Sequence, residues 1–182
     1  IVFGDWSSDV CSSDLPLPDT ETNLLMAEFI YFHAVALANY AELKHFTEAL
    51  AQWPTIEKAM TNLIKIRAAA VQFYGAHRTL AIANMKMPSP FGDLKLAENY
   101  MKLAYTQTIH SPELQTSVYV FNTVTYAEIL HKKDQKKRAC QILKNIYSLS
   151  RDEIRTINPA YFAENLINQR KGILLLGEYA CL

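Results

Sequence analysis

The chain has 182 residues, half of them hydrophobic and 20% charged, with 18 basic against 18 acidic side chains. That is enough apolar material for the core of one domain, and a charge balance too even for a nucleic-acid-binding surface. No apolar run reads as long enough to span a bilayer.

The start of the chain stands apart. Residues 5–15, DWSSDVCSSDL, are what a common short-read sequencing adapter gives when translated in one frame. Residues 1–15 therefore read as an assembly artefact, to be left out of fold reasoning as an expression scar would be. Setting aside Asp5, Asp9 and Asp14 leaves 18 bases against 15 acids, an excess of about three. On that reading the natural start, with any export signal, is missing, and residues 16–182 form a single helical-repeat domain.

Asp19, Thr20, Glu21 and Thr22 offer caps for a first helix carrying Leu24, Leu25, Ala27, Phe29, Phe32, Ala36 and Leu37. Apolar over most of its circumference, this helix is expected to be central or packed on two sides. A second helix over 41–52 is expected to end at Pro54, because the residue before a proline is pushed out of the helical region. Thr55 then caps a third, with Ile56, Ala59, Met60, Leu63, Ile64 and Ile66 on one face. Residues 67–85 fit either one bent helix or two with a turn near Gly75, and 87–90 is a loop.

The segment 90–130 reads as two helices joined by a tight turn. Gly92 permits an unusual backbone angle and Asp93 caps a helix over 94–106. Leu96, Tyr100, Leu103 and Ala104 make its stripe, with Ala97 beside them; Lys95, Glu98, Asn99 and Lys102 face the other way. Ser111, Pro112 and Glu113 carry the signature of a helix start. That helix has Leu114, Val118, Phe121, Thr125, Glu128 and Ile129 inward. Its β-branched run over 116–125 also suits a strand, but the cap and the length favour helix. Asp134 caps a further helix through 149 with Ala139, Ile142, Leu143, Ile146 and Leu149 inward, and 150–157 is a connector. Asn158-Pro159 then opens a long helix over 160–178. The recurring starts give an all-α class, antiparallel helical hairpins stacked as a degenerate tetratricopeptide-like repeat.

Little in this pattern carries chemistry. The histidines at 33, 45, 77, 110 and 131 fall on different elements without metal-ligand spacing, so no metal is expected. Neither a phosphate-cradling glycine loop nor a nucleophile elbow occurs, so no cofactor and no catalysis are expected. Cys140 and Cys181 share no motif, give no metal site and no disulfide framework, and read as small buried hydrophobes rather than reactive thiols. The basic run 132–138 reads as a solvated edge. A set of aromatic residues running from Phe29, Tyr31 and Phe32 to Tyr161 and Phe162 reads mainly as core, with a groove for an apolar or aromatic ligand as the alternative.

Three stretches resemble the T component of the tripartite ATP-independent periplasmic (TRAP) transporters. They are Gly92-Asp93 followed by Ala97, Tyr100, Leu103 and Ala104; Val124-Thr125-Tyr126-Ala127-Glu128; and 165–171, continuing to Leu174 and Leu175. The chain has Gly172 where that family tends to have Ala. The resemblance implies a non-catalytic periplasmic accessory, possible lipid anchorage, and a homotrimer around a central pore. It also implies pairing with the transporter's solute-binding protein and an apolar or organic-acid ligand. Tyr100, Tyr126, Glu128, Gln169 and Arg170 match its motifs and are the ligand or pore candidates, with Glu128 and Arg170 as an interhelical ion pair the structural alternative. A cytoplasmic scaffold for a protein partner is the competing reading.

Overall fold

The computed structural model describes residues 21–65, 70–110 and 115–181. The adapter-like segment, the caps Asp19 and Thr20, residues 66–69, Ser111-Pro112-Glu113-Leu114 and Leu182 lie outside them. The fold is all-α: among the described residues there are eight helices and no strand. They are α1 (Glu21–Glu42), α2 (Phe46–Lys65), α3 (Gly75–Lys86), α4 (Leu94–Thr106), α5 (Val120–Lys132), α6 (Lys136–Tyr147), α7 (Arg151–Ile157) and α8 (Phe162–Glu178). The chain divides into two compact units, Ile1–Thr79 and Leu80–Leu182.

In the first unit α1 and α2 pack together. The buried face of α1 is Ala27, Tyr31, Ala34 and Ala41, while Leu25 (62%) and Phe29 (61%) are exposed. The helix is therefore not central: small residues at helical spacing let α2 approach one side, and the large apolar ones point away. Leu24–Glu42 is also long and apolar enough to cross a membrane by length and composition, which the sequence reading did not find. Pro54 lies inside α2 rather than ending it. Ile56, Ala59, Met60 and Leu63 are buried at i, i+3, i+4 and i+7, and that packing outweighs the one backbone hydrogen bond a proline removes.

The choice between one helix and two over 67–85 is settled toward a break. Residues 72–74 hold positive φ (51°, 55° and 61°), a costly left-handed run. The buried Arg78 guanidinium secures it, donating to the carbonyls of Gln72 at 3.2 Å and Phe73 at 3.3 Å and to the Tyr31 hydroxyl at 3.0 Å. Burial of the neighbouring His77 lowers its pKa.

The second unit is arranged around α5, which packs against α4, α6 and α8. Asp93 caps α4 as expected, its Oδ1 accepting from the N–H groups of Lys95 (2.7 Å) and Leu96 (3.1 Å). Gly92 is needed for space rather than angle, since its φ is not positive and a Cβ there would sit 2.2 Å from the Met87 carbonyl oxygen. The α4 stripe is rotated from the expected one. Ala97, Met101, Ala104 and Tyr105 are buried, while Leu96 and Leu103 are 37% and 39% exposed; the two alanines are what allow close approach.

No helix occupies 115–119, so the partner helix starts at Val120 rather than near Ser111. Only residues 116–119 of the β-branched run form a loop, which bridges antiparallel at Ser117 to Ile109, just beyond α4, while 120–125 are helical as expected. Side chains satisfy that loop: Thr108 Oγ1 lies 2.6 Å from Ser117 Oγ, and Ser117 N–H donates to Thr123 Oγ1 at 3.0 Å. Asp134 adopts a left-handed φ of 59° after α5 instead of capping α6, a role the short polar side chain tolerates. The interior of α6, Ala139, Ile142, Leu143 and Ile146, is as expected.

Residues 150–157 hold a helix, not a connector: Ser150 and Glu153 form a reciprocal capping box before α7. Cys140 and Cys181 are joined in a disulfide with Cα atoms 5.4 Å apart. Spacing could not show this, because the two are distant in sequence and meet only when α6 and α8 pack.

A Cβ added at Gly172 would lie 3.5 Å from Val124 Cγ2 and 3.6 Å from Ile146 Cδ1, ordinary contact for a methyl group. Gly172→Ala should therefore raise the unfolding free energy by about 0.5–1 kcal/mol in urea denaturation. Gly92→Ala, forced against backbone, should lower it by about 1–3 kcal/mol. A destabilised Gly172→Ala would contradict this packing of α8 on α5.

Candidate functional site

The five side chains singled out by sequence all fall in the second unit, but they do not converge on one point. Tyr100 is half-buried on α4. Tyr126, on α5, is 2% exposed, its ring centroid 5.0 Å from that of Tyr105. Its hydroxyl accepts from Arg138 Nη2 at 3.1 Å. Arg138 also lies 3.7 Å from the Glu98 carboxylate, which pairs with Lys133 as well. Burial, with Tyr126 beside it, pushes the Tyr105 phenol up to about 12. Tyr126 moves the same way, first because it is buried, with Arg138 opposing.

Glu128 lies two residues beyond Tyr126, roughly 200° further round the helix, and turns to α8. There its carboxylate accepts from Lys171 Nζ at 2.9 Å. The ion pair is therefore with Lys171, while Arg170 is exposed. Lys171 also stands 5.9 Å from the Phe121 ring centroid. Close by, His131 stacks on Tyr179 at 3.6 Å with 4° between the rings. Burial, then Glu128 and Glu178, pushes Tyr179 up to about 12.

The α8 stretch 165–171 works as a staple. Asn165 is fully buried; its Oδ1 accepts from the Val120 N–H at 2.9 Å and its Nδ2 donates to the Val118 carbonyl at 3.0 Å. It thus performs from α8 the N-capping that Tyr119, which makes no side-chain capping hydrogen bond, does not supply to α5. Gln169 Nε2 donates to the Leu149 carbonyl at 2.7 Å and the Ile146 carbonyl at 3.2 Å, satisfying the end of α6. Asn165 and Lys171 were not among the sequence candidates. A signal for Asn165 existed: it sits on the stripe with Asn168, Gly172, Leu175 and Leu176, and an amide on an inward stripe requires buried partners.

What these groups offer is packing, mutual neutralisation and hydrogen bonding. Among the described residues no group of three or more His, Cys, Asp or Glu side chains could hold a metal ion. Compared with known proteins, the chain matches no protein-family model and no curated protein. The resemblance set out above rests on its own residues.

Removing Asn165 strands the buried Val120 N–H and leaves the half-buried Val118 carbonyl with only the longer contact from Asn158 Nδ2 at 3.4 Å. Asn165→Ala should cost about 2–4 kcal/mol in urea denaturation, against less than about 0.5 kcal/mol for the exposed Arg170→Ala. Comparable losses for the two would refute the staple.

Proposed function

We propose that this chain is a non-catalytic, periplasmic helical-repeat accessory of a TRAP-type uptake system. In this reading it pairs with the solute-binding protein as a homotrimer and holds an apolar or organic-acid ligand. The observation that carries the reading is spatial. Two separate stretches that resemble the T component, 124–128 on α5 and 165–171 on α8, lie on packed helices and interact through Glu128 and Lys171.

Two further observations support it. The Cys140–Cys181 disulfide suits an oxidising compartment and weighs against the cytoplasmic scaffold, since the cytosol keeps thiols reduced. Exposed Leu24, Leu25, Phe29 and Phe32 supply an apolar surface of the kind that self-association buries.

Sequencing the genomic locus through the codons for 1–16 and into its neighbours, with fractionation of the source cells, tests the reading. It predicts an export signal, TRAP solute-binding and membrane-component genes alongside, and protein in the periplasmic fraction. A cytoplasmic protein among unrelated genes would overturn it.

A further inference from the structure

The basic run that sequence alone reads as a solvated edge has a shape. Lys137, Cys140, Gln141 and Lys144 fall at i, i+3, i+4 and i+7 of α6, one stripe of the helix. Together with Lys136, Arg138 and the turn after α8 they line a groove of about 810 Å³. The Cys140–Cys181 disulfide fixes that turn against α6 as the opposite wall.

Charge in the groove is one-sided. Among the described residues Asp134 is the only acid lining it. Arg138 is engaged with Glu98, Gln135 and Tyr126. Lys136, Lys137 and Lys144 are exposed, and among the described residues none of the ion pairs involves them. Three of the cations stand in the first turn of α6, which has no acid there and no side-chain cap on Gln135. The positive end of the helix dipole disfavours that placement, so the fold leaves a local excess of positive charge that an anionic occupant relieves.

We propose that this groove docks an acidic, extended segment of a partner protein. The volume is far larger than a phosphate or a single carboxylate fills. From Lys136 to Lys144 the helix rises about 12 Å. Alternate side chains of an extended strand repeat every ~7 Å on one face, so three acidic positions at i, i+2 and i+4 span the cation row. The Gln141 amide adds a neutral hydrogen-bonding group for the peptide backbone. A nucleic acid fits less well, because among the described residues no aromatic side chain lines the groove to stack a base. The proposal is independent of the uptake-system reading; any acidic partner in any compartment satisfies it.

A fluorescein-labelled peptide of about ten glutamates, titrated into the full chain with its disulfide intact, provides the probe, read by fluorescence anisotropy at about 50 and about 200 mM salt. Saturable binding that weakens with salt is expected. It should weaken about tenfold further in Lys137→Glu/Lys144→Glu, and less in Lys137→Gln/Lys144→Gln, which keeps the groove's shape. Lys95→Glu/Lys102→Glu on exposed α4 positions makes the same change in net charge and should bind as the parent does. Absence of saturable binding overturns the proposal. So does equal loss in the α4 variant, which would make the attraction one of net charge alone, or tighter binding of a single-stranded oligonucleotide of the same charge.

Discussion

A helix buried over most of its circumference must place most of its polar groups on its neighbours. Helix α5 carries Asn122, Thr123, Thr125 and Tyr126 within its buried surface. Asn122 Nδ2 donates to the Ala104 carbonyl at 3.3 Å and to Thr108 Oγ1 at 3.2 Å, which ties down the end of α4. Thr123 receives the Ser117 N–H and fixes the preceding loop; Tyr126 reaches Arg138 on α6; the first amide of α5 requires Asn165 on α8. Thr125 Oγ1 is buried without a partner among the described residues, a cost of about 1–3 kcal/mol that the apolar burial around it offsets. The places of α4, α6 and α8 all follow from satisfying α5.

That dependence explains which parts of the chain can be read from its letters. Asp93 is legible because its cap is local: acceptor and donors lie within three residues. The inward face of α6 is legible because Ala139, Ile142, Leu143 and Ile146 form one clean stripe. Ser150 and Glu153 carry an equally local signature, a capping box, and α7 could have been read from it. Pro54 misleads because its cost is local while the compensating contacts, Ile56 to Leu63 on α1, are not. The rotated stripe of α4 misleads because its deepest residues are alanines, whose value lies in how closely another helix can approach. Residues 115–119 become a loop for a tertiary reason, the pairing of Ser117 with Thr108 and Thr123.

Among the candidate residues the pattern is similar. Composition and motif select Tyr126, Glu128 and Gln169, and the structure gives each a job in holding helices together. Arg170, one residue from the Lys171 that pairs with Glu128, is left facing outward: one residue is 100° of rotation, and no periodicity in a helix of low amphipathicity fixes it that finely. The cysteines lie at opposite ends of the α6-to-α8 segment, and only the packing of those two helices brings them together. What remains free to meet other molecules is at the surface, in the apolar side of α1 and the basic side of α6.

Native-state hydrogen exchange, followed peptide by peptide with mass spectrometry, tests the central place of α5 most directly. Amides over 124–130 should exchange last, together with the inner amides of α4 and α8 in one cooperative step, and well after those of α7, where Ile154 alone is buried. If the α5 amides exchange as early as those of α7 while α8 stays protected, α5 is not the element on which this unit is built.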